Sequence, residues 1–256
     1  MRSFVAIGLL LACSLAFADG LADLKRTLAG LVGRQPIEAQ LAFSHSQVNA
    51  GDAGKARAPL TVHAEVGADP NGVRLEFPRR TLDLAVAESR QTDPEAKKPV
   101  SAALSQILVT DVDEYLNAAP KLLAPLERAE LISEKSEVWR GQPARVLALK
   151  LNPLLGKQER KYVKKLDASA KVWISADGVP LAAEQHYAYS GRAMLVINFE
   201  SATHESFEFQ KRGDRLVVVR HRREDTSSGG GESGTRTVDA RMTVSSATAP
   251  AQTGTR

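Results

Sequence analysis

The residues that could do chemistry in this sequence are scattered. His45, His63, His186, His204 and His221 show no metal-ligand spacing of the His-Glu-x-x-His kind. His204-Glu205 and His63-x-Glu65 are single imidazole–carboxylate pairs on segments patterned as strands, and they read as surface polar groups, not as a metal site or a general base. Asp111-x-Asp113-Glu114 offers oxygens to a cation, yet negative charge in the first turn of a helix is already accounted for by the helix dipole. There is no Gly-x-Ser-x-Gly elbow, and no glycine loop cradles a phosphate ahead of a helix. The expectation is a protein that is not an enzyme, with no catalytic, metal or cofactor site.

Two charged features remain. Arg220, His221, Arg222 and Arg223 are consecutive on a strand, so positive charge falls on both faces of the sheet. A basic patch of Arg220, Arg222 and Arg223 suits anionic lipid headgroups or an acidic partner, or it blunts a strand end against aggregation. Arg212-Gly213-Asp214 lies where the chain must reverse and reads as a turn. With 34 basic and 30 acidic residues the formal net charge is only +4, which gives no case for a nucleic-acid partner.

These residues need a scaffold, and the chain begins with a segment that would not belong to it. Arg2, the apolar run Phe4 to Phe17 and Ala16-Phe17-Ala18 ahead of Asp19 pattern as a secretory signal peptide over residues 1–18. Leu10-Leu11-Ala12-Cys13 resembles a lipobox as well, which would make the protein a lipoprotein anchored through Cys13; Ser14 to Ala18, however, stays mostly apolar where a lipoprotein turns polar. Cleavage after Ala18 would send a chain without cysteine to the periplasm or beyond, excluding disulfides and thiol chemistry. At 43% hydrophobic and 25% charged, the composition is that of a globular protein able to build its own core. Residues 19–246 are expected to form one domain and 247–256 a disordered tail.

Leu21, Leu24, Leu28 and Leu31 recur at helical spacing and Gly33 closes that helix. Alternation from Ile37 to Ser44 predicts a first strand, and Asn49 to Ala58 a polar loop. Two more strands, Leu60 to Val66 and Val73 to Phe77, flank the turn Asp69-Pro70-Asn71-Gly72. The period then changes. Leu82, Leu84 and Val86 fit helix or strand equally, and Gln91 to Pro99 is a loop. Asp111 with Glu114 predicts a capping-box helix start, with Val112, Tyr115, Leu116 and Ala119 on one face, stopped or kinked by Pro120. Leu122, Leu123, Leu126, Ala129 and Ile132 carry a second helical face. Val138-Trp139 and Arg145 to Leu151 form a hairpin, and Asn152 to Leu166 is a basic connection (Lys157, Arg160, Lys161, Lys164, Lys165).

From Lys171 to Val244 the chain reads as an antiparallel meander. Val172 and Ile174 lead into the Asp177-Gly178 hairpin tip, and Leu181 to Ser190 returns as far as the breaker Ser190-Gly191. Ala193 to Phe199 is apolar on both parities around Met194 and Val196 and predicts a central strand. Phe207 and Phe209 mark the next, Leu216 to Arg223 another, Asp225 to Gly234 a flexible glycine-rich loop, and Thr235 to Val244 the last.

This order, together with Lys171-Val172-Trp173-Ile174-Ser175-Ala176-Asp177-Gly178-Val179-Pro180, resembles the LolA-like superfamily of exported proteins, which includes the periplasmic lipoprotein carrier. The resemblance implies an α+β fold: a strongly bent antiparallel sheet, an incomplete β-barrel, with a helical insert covering the concave face. The chain departs from the family in being only 5% aromatic and in its loop Ser227 to Gly234. The expected function is a periplasmic carrier of a lipid, acyl chain or lipoprotein in a hollow beneath residues 111–132, lined by Tyr115, Leu116, Leu122, Leu123 and Leu126. The alternative is a non-catalytic envelope protein that binds another protein through its sheet edge or basic patch. Membrane contact would be peripheral at most.

Overall fold

A computed structural model describes residues 19–51, 59–94, 96–157, 159–193 and 197–245. The signal segment, Cys13, Met194 with Val196, and the tail lie outside the described residues. Helix α1 (Gly20–Gly30) precedes strands β1 (Ile37–Asn49), β2 (Thr61–Asp69) and β3 (Gly72–Glu76). Helices α2 (Arg79–Ser89), α3 (Pro99–Leu104), α4 (Val109–Leu116) and α5 (Ala119–Leu126) follow. The rest is β4 (Glu130–Trp139), β5 (Gln142–Lys150), a short α6 (Glu159–Tyr162), β6 (Val163–Ile174), β7 (Pro180–Ala193), β8 (Ile197–Arg212), β9 (Arg215–Gly229) and β10 (Glu232–Val244).

All ten strands form one antiparallel sheet in the order β3-β2-β1-β10-β9-β8-β7-β6-β5-β4. Pairing of β1 with β10, from Ala39↔Val244 to Asn49↔Gly234, joins the two runs of strands. Strands β3 and β4 are the two edges, so the sheet is open and the fold is α+β. It is also bent: α4 packs against β9 on one side and against β2 and β3 on the other, which a flat sheet would hold apart.

The helices cover the inner face because their apolar stripes have nowhere else to go. Asp19 caps α1, its carboxylate accepting from the amides of Leu21 and Ala22, and Leu21, Leu24 and Leu28 turn inward. Val112, Tyr115 and Leu116 of α4 and Leu122 and Leu126 of α5 join them over Leu41, Leu147, Val172, Phe207 and Leu216. A small second cluster, Ala144, Val146, Trp173 and Ala182, packs on the outer face with Trp139.

Several expectations need correction. Helix α4 begins at Val109 with no side-chain cap, so Asp111 lies within the first turn and builds no capping box. The second helical face ends at Leu126; Ile132 is on edge strand β4 and 64% exposed, because Glu130 already pairs with Lys150. The ambiguous Leu82, Leu84 and Val86 are helical, in α2. Strand β7 runs through Ser190-Gly191, where the missing side chain matters: a Cβ on Gly191 would stand 2.0 Å from the Tyr162 carbonyl oxygen. Ala193 ends β7 and pairs with Ile197, which begins β8, so the described residues of the expected central strand belong to two strands; 194–196 lie outside the described residues. The glycine-rich loop shrinks to Gly230-Gly231, both at positive φ, because the β9–β10 ladder continues to Gly229↔Glu232.

Candidate functional site

Directly paired residues of neighbouring antiparallel strands share a face, so the register resolves the inner surface into rows running across the sheet. One row reads Phe43, Ala240, His221, Phe207, Ala183, Val172, Leu147 and is nearly all apolar. The next reads His45, Val238, Arg223, Glu205, Gln185, Ala170. Beyond it come Gln47, Arg236, Asp225, Thr203, Tyr187 and then Asn49, Gly234, Ser227, Ser201, Tyr189. Within four rows the inner face passes from core to polar surface.

Where the rows are apolar, the helices sit on them. The hollow expected there is filled: Tyr115, Leu116, Leu122 and Leu126 are buried core residues, Leu123 is half-buried, and the space beside Tyr115, Leu122, Phe207 and Phe209 is about 30 Å³. Sites for small molecules occupy roughly 300–1,000 Å³, far more than the space left beside these residues. Where the rows are polar, no helix among the described residues covers them, and a trough of about 860 Å³ opens between Gln47 and Asn49 on one wall and Tyr189 on the other. Its floor carries Arg223, Asp225, Ser201, Thr203 and Ser227.

The border between the halves is a buried polar network. The Tyr115 hydroxyl and His221 Nδ1 are 2.9 Å apart, and His221 Nε2 is 3.3 Å from Glu205 Oε1. An ionised Glu205 only accepts, so the Nε2–H of His221 donates to it, and Nδ1 is left facing the Tyr115 hydroxyl. Phe207 stacks on the imidazole at 4.5 Å. Arg223 donates to Glu205 and forks onto Asp225, and Thr203 donates to Asp225. Burial pulls the Glu205 carboxyl upward, but its contacts with His221 and Arg223 outweigh that and hold it below its ordinary value. Asp225 behaves likewise, with Arg223 and Thr203 prevailing over burial. Burial and the nearby Asp111 and Glu205 push the Tyr115 hydroxyl far up, so it stays protonated.

The basic patch is divided. Arg223 faces inward, spent on Glu205 and Asp225, while Arg220 on the outer face lies 3.9 Å from Glu208, which also holds Arg140. Arg222 is exposed on that outer face, paired across the sheet with Ser206 and Asp239. His204 and His63 are exposed as expected, but Glu205, expected at the surface beside His204, is buried because it faces inward onto His221 and Arg223; His221 is buried too, and His45 Nε2 is buried without a partner among the described residues. The turn reading of Arg212-Gly213-Asp214 holds: Gly213 has φ +56, and Asp214 accepts from the amides of Arg34 and Gln35. Among the described residues, no three His, Cys, Asp or Glu side chains converge as a metal site, and no helix is long and apolar enough to cross a membrane.

Sequence reasoning missed the trough entirely. Its one signal was the run of small polar residues at alternate positions, Ser201, Thr203 and Asp225, Ser227, on long strands that should have kept a core-facing side.

The LolA-like resemblance remains one of arrangement. No family model matches the chain, and no curated protein matches it. Among solved structures, a chain from the crystal structure of MucB in complex with MucA(peri) is similar over 87% of this chain and 94% of that one, at 10% identity and a TM-score of 0.20. A likeness so slight assigns no residue a role.

Proposed function

We propose that this is an exported, non-catalytic binding protein that holds a segment of another envelope protein in the open polar half of its concave sheet. One observation carries the reading: an 860 Å³ trough lined by hydroxyls, amides, an internally paired Arg223–Asp225 couple and Arg236, which donates to Gln106, beside an apolar half already filled by the protein's own helices. An extended polypeptide has a donor and an acceptor at every residue, and such a floor can satisfy both. An acyl chain would leave those groups desolvated and unpaired, each at a cost of about 1–3 kcal/mol. Export rests on the signal-like pattern of residues 1–18.

Site-specific photocrosslinking tests it. A benzophenone side chain at Ser201 or Thr203 should give one defined polypeptide adduct in the envelope fraction, and the same probe at the outward-facing Ala202 or His204 should not. Equal labelling from both faces, or a lipid adduct alone from the trough, would overturn the proposal.

A further inference from the structure

The connection between β5 and β6, with the first residues of β6, supports a second surface, independent of the trough. Residues 152–166 hold five basic residues, Lys157, Arg160, Lys161, Lys164 and Lys165, against one acidic one, Glu159. That net of +4 equals the formal charge of the entire chain. All five cations are exposed, and none makes an ion pair among the described residues. Glu159 is turned back onto the Gly156 amide at 2.5 Å.

The same segment exposes apolar surface beside that charge. Leu154 is 73% exposed and Tyr162 45%. Next to them a groove of about 460 Å³ is lined by Leu155, Tyr162, Val163, Leu166, Tyr189 and Phe199, with Glu159 at its margin. It is a seated element, since α6 rests its Tyr162 carbonyl on Gly191 of β7, where any side chain would collide with it.

Exposed leucine and tyrosine ringed by flexible cations match a layer with anionic groups outside and hydrocarbon within. Lysine stems lie along apolar surface while their ammonium groups reach outward, and a tyrosine ring suits the headgroup depth. Four of the five cations are lysines, point charges on flexible stems, which suit a diffuse plane of phosphates better than the fixed carboxylates of an acidic protein. We propose that the β5–β6 connection and the start of β6 dock this protein on an anionic phospholipid surface, with Leu154 and Tyr162 entering the headgroup layer and Lys157, Arg160, Lys161 and Lys164 facing the phosphates. Lys165, paired with Ser190, lies on the opposite face of the sheet.

Flotation with vesicles of phosphatidylcholine, with or without phosphatidylglycerol, tests this on the full chain. The protein should float with the anionic vesicles only and be released by raised salt. Neutralising one exposed lysine, in K161Q or K164Q, should lower the partition roughly fivefold, and the double variant correspondingly more. L154S should lower it roughly tenfold with all charges kept. These positions are on the surface, so unchanged circular dichroism will confirm that the variants fold.

The proposal is overturned if anionic vesicles do not bind at low salt. It is equally overturned if L154S floats like the parent while heparin competes fully, which would make the segment a site for any polyanion. Loss of flotation in R220Q/R222Q, with K161Q/K164Q unaffected, would move the contact to the other basic patch and refute the assignment.

Discussion

The two halves of the concave face are built from the same strands and come to opposite ends. Strands β1, β8, β9 and β10 each carry apolar residues inward along one part of their length and polar residues along the other. Phe43 gives way to Gln47, Phe207 to Ser201, Val218 to Asp225, and Met242 to Arg236. Helices have an apolar stripe to bury and settle on the first part; the second is left to water or a partner. A bent sheet need not be a container over its whole inner surface, since coverage follows the row in which each strand changes character.

The sharpest way to break this contrast is to empty one half and perturb the other. Leu116→Ala removes a side chain with 0% exposure under the helices and should cost about 2–5 kcal/mol in urea unfolding, whereas Ser201→Ala on the trough floor should stay within about 0.5 kcal/mol. Equal losses would mean that the trough is as much core as its neighbour. The border should show an intermediate effect. Tyr115→Phe leaves His221 Nδ1 buried without its hydrogen-bond partner and should cost about 1–3 kcal/mol; a neutral result would remove the network from any part in holding α4 down.

The smallest effect is electrostatic. Burial, then Glu114, raises the Asp111 carboxyl above its ordinary 3.8. A carboxyl raised on folding binds its proton more tightly in the native state, so its contribution is fully present below the unfolded value and lost as pH rises through the folded one. Asp111→Asn should therefore be the more stable protein near neutral pH, with the difference closing below about pH 3.8. A parent more stable than the variant at neutral pH would show that the helix dipole outweighs burial there.

Much of the scaffold was legible in the sequence because its signals are local. The α1 leucines at spacings of three and four are all buried, and Asp177-Gly178 marks a hairpin tip with Gly178 at φ +80. The candidate site was not legible, because it depends on which residues pair across strands. The β8–β9 ladder shows why: Glu208 pairs with Arg220 and Phe209 with Val218, so Val219 is an extra residue, a bulge. Simple alternation from Leu216 and Val218 would send Arg220 and Arg222 inward. The bulge reverses that parity, bringing His221 beside Phe207 and aiming Arg223 and Asp225 at the trough. No periodicity in β9 alone announces the flip.

The pairing of β1 with β10 bears on the order in which the molecule can form. Ala39 finds its neighbour Val244 only across nearly the whole chain, and such distant pairings make folding slow, because a large loop must close before any contact rewards it. In a polypeptide that emerges amino end first, the strand that unites the two runs is the last to arrive. Until it does, β1 and β9 each present a bare ladder, so the sheet stays in two pieces until β10 has been made.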